Sequence, residues 1–362
     1  MRRTAGIFAL TALTLIARSA AAQGWDMRAA AAYLDARQTW WSAWPTAARD
    51  HQTACVSCHT ALPYALARPS LRAALHESQP PPPERKLIDD VVKRVVMWRD
   101  VEPFYPDQVN GLPKTSESRG TEAVLNALVL ATRDAAAGKP SDEAHAAFDN
   151  LWALQFRRGK PAGSWAWLNF HLEPWEADDA VYFGAALAAV AAGTEPGGYA
   201  SRADIQERVG ALRTFLRQDA ASQSVFNRAV LLWAASALPD LLTTDERGAI
   251  VASLFAAQNT DGGWALAKLG EWKRSDGTTV DTLSDGYATG LAAFALQHAG
   301  TASSEAHLAR ALAWLAAHQD SATGKWFATS LNRRRDPATA PANFMNDAAT
   351  GFAVLALTYR PP

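Results

Sequence analysis

Two thiols and an imidazole stand together in Cys55-Val56-Ser57-Cys58-His59, and these are the only two cysteines among 362 residues. The spacing lets both thiols add to the two vinyl groups of one haem, with His59 directly beneath the iron as its proximal ligand. A covalently attached haem c is therefore the expected cofactor. Two other uses of the pair compete. A Cys55–Cys58 disulfide or redox couple would sit in a βαβ context, which is missing here. A zinc site would need further ligands nearby.

An iron held by His59 has a sixth position to fill, and Met or neutral His are the usual occupants. Met345 is the favoured candidate, because it lies in the segment leading into the last helix of the chain. His51 and His171 are alternatives, and an open or water-bound iron is a further one. A second chemical feature is the acidic run Glu176-Ala177-Asp178-Asp179 within "WEADDAVYFG". Two neighbouring carboxyls can raise one another's pKa, as an acid catalyst requires. Asp residues also cap helices, and that alone would place Asp178 and Asp179 there.

The elements that must position these groups repeat along the chain. "TEAVLNALVLA" from Thr121, "DAVYFGAALAAV" from Asp179, "DGYATGLAAFAL" from Asp285 and "DAATGFAVLAL" from Asp347 each set a polar residue before an apolar, small-residue-rich helix. Each follows an amphipathic helix and a loop. With "HTALPYALARPSL" after Cys58 and "SVFNRAVLLWAASAL" after Gln223, six helix pairs of roughly 50 to 60 residues result, a length typical of repeat architectures. Six such pairs close into an all-α (α/α)6 toroid of inner and outer helices, and "SQPPPPERK" reads as a surface connection. The inner helices would run parallel, so that "CVSCH" falls at the mouth where the other inner helices begin.

"QNTDGGW" (Gln258 to Trp264) resembles the QW motif of the terpenoid cyclase and prenyltransferase toroids, and "LQFRRGKPAGSW" and "AHQDSATGKW" are degenerate copies. That resemblance implies the toroid fold, with Gln, Gly and Trp tying successive repeats. It also implies a reading of the acidic run, which is similar to the DxDD motif of squalene–hopene-type cyclases, with Asp178 at the proton-donor position. Glu176 replaces the first Asp of that motif, and Ala180 follows it where those cyclases carry Thr. Prenyltransferase toroids hold zinc through Asp, Cys and His, and here the haem motif claims both cysteines. The three arginines of "SLNRRRDP" (Ser330 to Pro337) can pair with haem propionates or lie in a solvated loop.

Met1-Arg2-Arg3, an apolar stretch from Gly6 to Ala17 and Ala20-Ala21-Ala22 read as a signal peptide over residues 1–22, cut before Gln23. Residues 23–362 are then one domain, periplasmic or otherwise exported. A formal net charge of −1 gives no sign of a nucleic-acid partner, and no later stretch reads as transmembrane. The expected activity is electron transfer or haem-dependent redox chemistry, with a redox partner protein or a small apolar substrate. A squalene-cyclase-like enzyme using Asp178 and a haem-based ligand or redox sensor are the alternatives.

Overall fold

The computed structural model describes residues 24–361 other than 338, so residues 1–22, read above as a signal peptide, lie outside the described residues. The chain builds its helices in alternation: α1 (Met27–Ala43) and α2 (Ala61–Ala74), α3 (Pro82–Val96), the single turn α4 (Asp107–Asn110) and α5 (Lys114–Ala137). It continues with α6 (Asp142–Leu154) and α7 (Ala180–Thr194), α8 (Gln206–Gln218) and α9 (Val225–Ala237), α10 (Thr244–Ala257) and α11 (Gly286–His298), α12 (Ala306–Ala317) and α13 (Phe344–Thr358). Among the described residues the one sheet is a two-stranded ribbon, β1 (Ala48–Arg49) against β2 (Thr53–Ala54).

Helix contacts run α2–α5–α7–α9–α11–α13 and return from α13 to α2, which closes an inner ring of six. The helices α1, α3, α6, α8, α10 and α12 form the outer layer, so the fold is the expected all-α toroid. Sequence composition explains the two roles. Inner α11 buries every residue from Gly286 to Gln297, and α13 every residue from Met345 to Ala356. Helices this apolar all round are stable only when covered on every side. Outer α12 instead buries one stripe, Leu308, Ala311, Trp314 and Leu315, as an amphipathic helix should. Two boundaries differ from the sequence reading. Helix α5 begins at Lys114 rather than at Thr121, whose hydroxyl accepts from the Leu168 amide instead. Part of "SQPPPPERK" is helix, because prolines are tolerated in a first turn and α3 starts at Pro82.

The QW-like copies do the same mechanical job three times. In each, the Gln amide donates to a Gly carbonyl in its own loop and to a backbone carbonyl at the start of the next outer helix around the ring. Gln155 reaches Gly163 and Arg208, Gln258 reaches Gly262 and His307, and Gln319 reaches Gly324 and Asp26, all within 3.0 Å. The Trp indoles of 165, 264 and 326 donate back to the preceding helix, at Leu151, Leu254 and Leu315. The Gln319–Asp26 contact joins the last outer helix to the first. Rings from adjacent inner helices, Phe226, Tyr287, Phe294 and Phe352, meet mostly edge-on at 5.3–6.2 Å and fill the interior between them.

Small residues permit the close approach of inner helices. A Cβ on Gly351 would lie 2.6 Å from the Cβ of Pro63, at the seam where α13 meets α2. Gly351→Ala is expected to cost about 1–3 kcal/mol through overpacking. Denaturant unfolding checks this, and an unchanged midpoint would mean that the seam is loose.

Candidate functional site

The Cys-containing loop is tied down before it reaches α2. The β1–β2 ribbon pairs Ala48 with Ala54, and the tight turn between its strands puts His51 and Gln52 at positive φ. Buried Arg94 of α3 donates to Asp50 (2.8 Å), to the Thr53 hydroxyl (3.1 Å) and to the Glu102 carbonyl (2.6 Å), and it also pairs with buried Glu122 of α5. From the outer layer, the Trp41 indole donates to the Cys55 carbonyl at 2.7 Å. The Ser57 hydroxyl accepts from the amides of Thr60 (3.2 Å) and Ala61 (3.1 Å), satisfying donors that a helix start leaves open. Thus Ser57, inside the motif, caps the first inner helix.

Both cysteines are free and buried. Burial pushes the Cys55 thiol up to about 11, and it raises Cys58 as well, aided by the nearby Glu176 carboxylate. They are neutral thiols, unlike the lowered-pKa cysteines of disulfide exchange. No group of three His, Cys, Asp or Glu side chains among the described residues is placed to hold a metal, which leaves a zinc site without its ligands.

His59 sits at the end of a directed hydrogen-bond chain. Asp347 of α13 accepts from the Tyr33 hydroxyl at 2.7 Å and, in a two-point grip, from the Arg37 guanidinium at 2.7 and 2.9 Å. Burial raises the pKa of this carboxyl and the Arg37 contacts oppose the rise; the two-point pairing is that of a carboxylate, which can only accept. The Thr60 proton therefore points to Asp347 at 2.6 Å, and the Thr60 oxygen accepts from His59 Nδ1–H at 2.8 Å. This order assigns the tautomer: Nε2 carries the free lone pair. Burial, then the charges of Arg37 and Arg335, push the His59 pKa down to about 3, so the ring stays neutral. Phe344 stacks on it at 3.8 Å, and Trp41 meets it edge-on at 5.0 Å.

The ring opens on a cavity of about 230 Å³. Its wall comes from the segments leading into four inner helices: Cys58 and His59 before α2, Tyr105 before α5, Trp175 before α7, and Phe344 with Met345 at the start of α13. The inner-helix starts do share one mouth. Met345 is 4% exposed and faces the same cavity as His59. The other ligand candidates do not line it. His51 is exposed beside Asp50, and His171 is exposed at 3.0 Å from Asp178. The His59 imidazole with its free Nε2, the Cys58 thiol and the Met345 thioether thus line one cavity, and Cys55 is buried three positions before Cys58.

The acidic run divides differently from the sequence reading. Asp178 is exposed, and a hydrogen bond from Asn169 (2.8 Å), joined by His171, lowers its pKa. Asp179 is also exposed and accepts from the Asn227 amide at 3.1 Å. Neither lines the cavity. Asp285, by contrast, caps α11 through the Tyr287 and Ala288 amides. The carboxyls that do face His59 are Glu173 and Glu176, turned inward by the backbone bridge between Leu172 and Glu176. Burial pushes Glu176 up to about 7 against the pull of Lys114, and burial with the charges of Asp179 and Asp178 pushes Glu173 to about 7. Sequence gave a signal for Glu176 only as the altered first residue of the acidic run.

No protein-family model and no curated protein matches this chain. A solved glycosidase aligns over 91% of this chain and 97% of its own, at 14% identity and a TM-score of 0.46, a likeness too loose to carry any inference.

The raised Glu176 pKa has a definite sign. The folded chain keeps a proton that the unfolded chain releases near pH 4.3, so this group's stabilisation is complete below that pH and is lost as pH rises through about 7. Glu176→Gln lacks the titration. It is expected to exceed the parent in stability by about 2–3 kcal/mol at pH 8, relative to the difference at pH 4.5. Denaturant unfolding at both pH values checks this, and a pH-independent gap contradicts it.

Proposed function

We propose that this chain is an exported c-type haem protein that passes single electrons at the mouth of its toroid. The observation that carries the reading is the His59 arrangement: a neutral imidazole whose Nδ1 is held by Thr60 and Asp347, set directly after two buried thiols. The Cys55 and Cys58 S–H bonds would add across the two vinyl groups, sulfur to one carbon and hydrogen to its neighbour, with no net oxidation. His59 Nε2 and the Met345 thioether would hold the iron, and a Met ligand favours a higher potential. The bound haem supplies one-electron chemistry at its iron.

The chain's own residues do the rest. Trp41, Trp175 and Phe344 keep water from the His59 ring, and Arg335, on the cavity wall, is placed to meet a propionate. No helix among the described residues is long and apolar enough to cross a membrane. The N-terminal segment supports export, which matches a cofactor that must not be lost outside the cell. A redox protein docking at this mouth is the expected partner. The cyclase reading is not carried forward, because Asp178 points away from the cavity into solvent.

Expression with a cytochrome c maturation system tests the proposal. Haem should remain on the denatured polypeptide, and should be absent from a Cys55→Ala/Cys58→Ala variant. The reduced parent should refuse CO, while Met345→Ala should bind it. Absence of covalent haem sinks the reading; CO binding by the parent removes Met345 as ligand.

A further inference from the structure

Beside the His59 cavity lies a second chamber of about 310 Å³, which shares Ser330 and Arg335 with it. Arg274, Lys325, Arg333, Arg334 and Arg335 line this chamber against a single carboxylate, Asp281. In a chain of net charge −1, such an accumulation is local rather than a general basicity. Arg274 is already committed, to the Ser330 carbonyl (2.8 Å), the Thr279 carbonyl (2.7 Å) and Asp281 (3.2 Å). The other four cations form no salt bridge among the described residues. Lys325 reaches the Asn343 side-chain oxygen at 3.2 Å and stands 5.0 Å over the half-exposed Phe327 ring.

The backbone that carries Arg333, Arg334 and Arg335 is tethered, and the Arg333 and Arg334 side chains are exposed. The Arg334 amide donates to Asp276 at 2.7 Å, and the Ser275 amide donates to the Asn332 carbonyl at 2.8 Å. The Asn332 side chain exchanges two hydrogen bonds with the Glu173 backbone, at 2.7 and 2.8 Å. The arginine loop is thereby fixed to two other loops of the mouth. Like charges fixed in proximity repel; burial and then the charge of Arg333 lower the pKa of Arg335. An anion between them removes that repulsion, and planar guanidiniums suit carboxylate oxygens in pairs. Because the loop is pre-ordered, little of the binding energy is spent on arranging it.

We propose that this chamber binds a small organic polycarboxylate from solution, seated on Arg333, Arg334 and Lys325 with its carbon skeleton against Phe327. The haem's own propionates are the other source of carboxylate. Arg335 faces both cavities and belongs to them, whereas Arg333 and Arg334 lie only on the second chamber.

Titration calorimetry with citrate, on the matured protein at low ionic strength, tests this. One saturable site is expected, weakened by added salt as exposed charges are screened. Arg333→Gln/Arg334→Gln should weaken it by about tenfold or more, the size expected for losing charge-assisted hydrogen bonds. Arg157→Gln/Arg158→Gln, which removes the same charge elsewhere, should leave it unchanged. The proposal fails if citrate shows no saturable binding, or if both double variants respond alike. It also fails if citrate binds only the haem-free Cys55→Ala/Cys58→Ala chain, which would assign the arginines to the propionates. Binding by both the matured and haem-free chains supports the site whatever becomes of the electron-transfer reading.

Discussion

The structure depends on one buried carboxylate. Asp347, on the last inner helix, takes hydrogen bonds from Tyr33 and Arg37 of the first outer helix and from Thr60 just before the first inner helix. Removing one member of such a buried ion pair typically costs about 3–5 kcal/mol, because the remaining charge is stranded. Three helices at the seam of the ring are thus fastened at one point. The same point orients His59, so that closing the toroid and leaving the Nε2 lone pair free are one event.

A toroid built from hairpins has to solve closure twice, and the two layers do so by different means. The outer layer repeats its Gln–Gly–Trp tie, and the last copy, at Gln319, reaches the Asp26 carbonyl just before α1. The inner layer closes by contact of α13 with α2, where Gly351 lets Pro63 approach. With both rings shut, the loops before four inner helices are brought to one rim. The cavity wall therefore draws on residues as distant in sequence as Trp41, Tyr105, Trp175 and Met345. No single repeat could form such a site.

Much of this was legible in the sequence because it is periodic or local. The helix pairs repeat, the QW-like copies share a pattern, and "CVSCH" carries its chemistry within five residues. Met345 could be singled out because a closed ring sets the sixth pair beside the first. The Thr60–Asp347 contact spans 287 positions and joins two ordinary-looking residues, so nothing local announces it. The acidic run misled for a related reason. Its polar residues all resemble caps, and only the fold of the preceding loop decides that Glu176 turns inward while Asp178 faces solvent. The arginines of "SLNRRRDP" were visible, but their concentration around one chamber follows from the tethers of Asn332 and Asp276.

The central claim is that the toroid mouth holds an iron on His59. Anomalous diffraction at the iron absorption edge, on crystals of the exported and matured protein, tests it most directly. The account predicts one iron peak in the cavity, within bonding distance of His59 Nε2. A peak away from His59, or none, would contradict it.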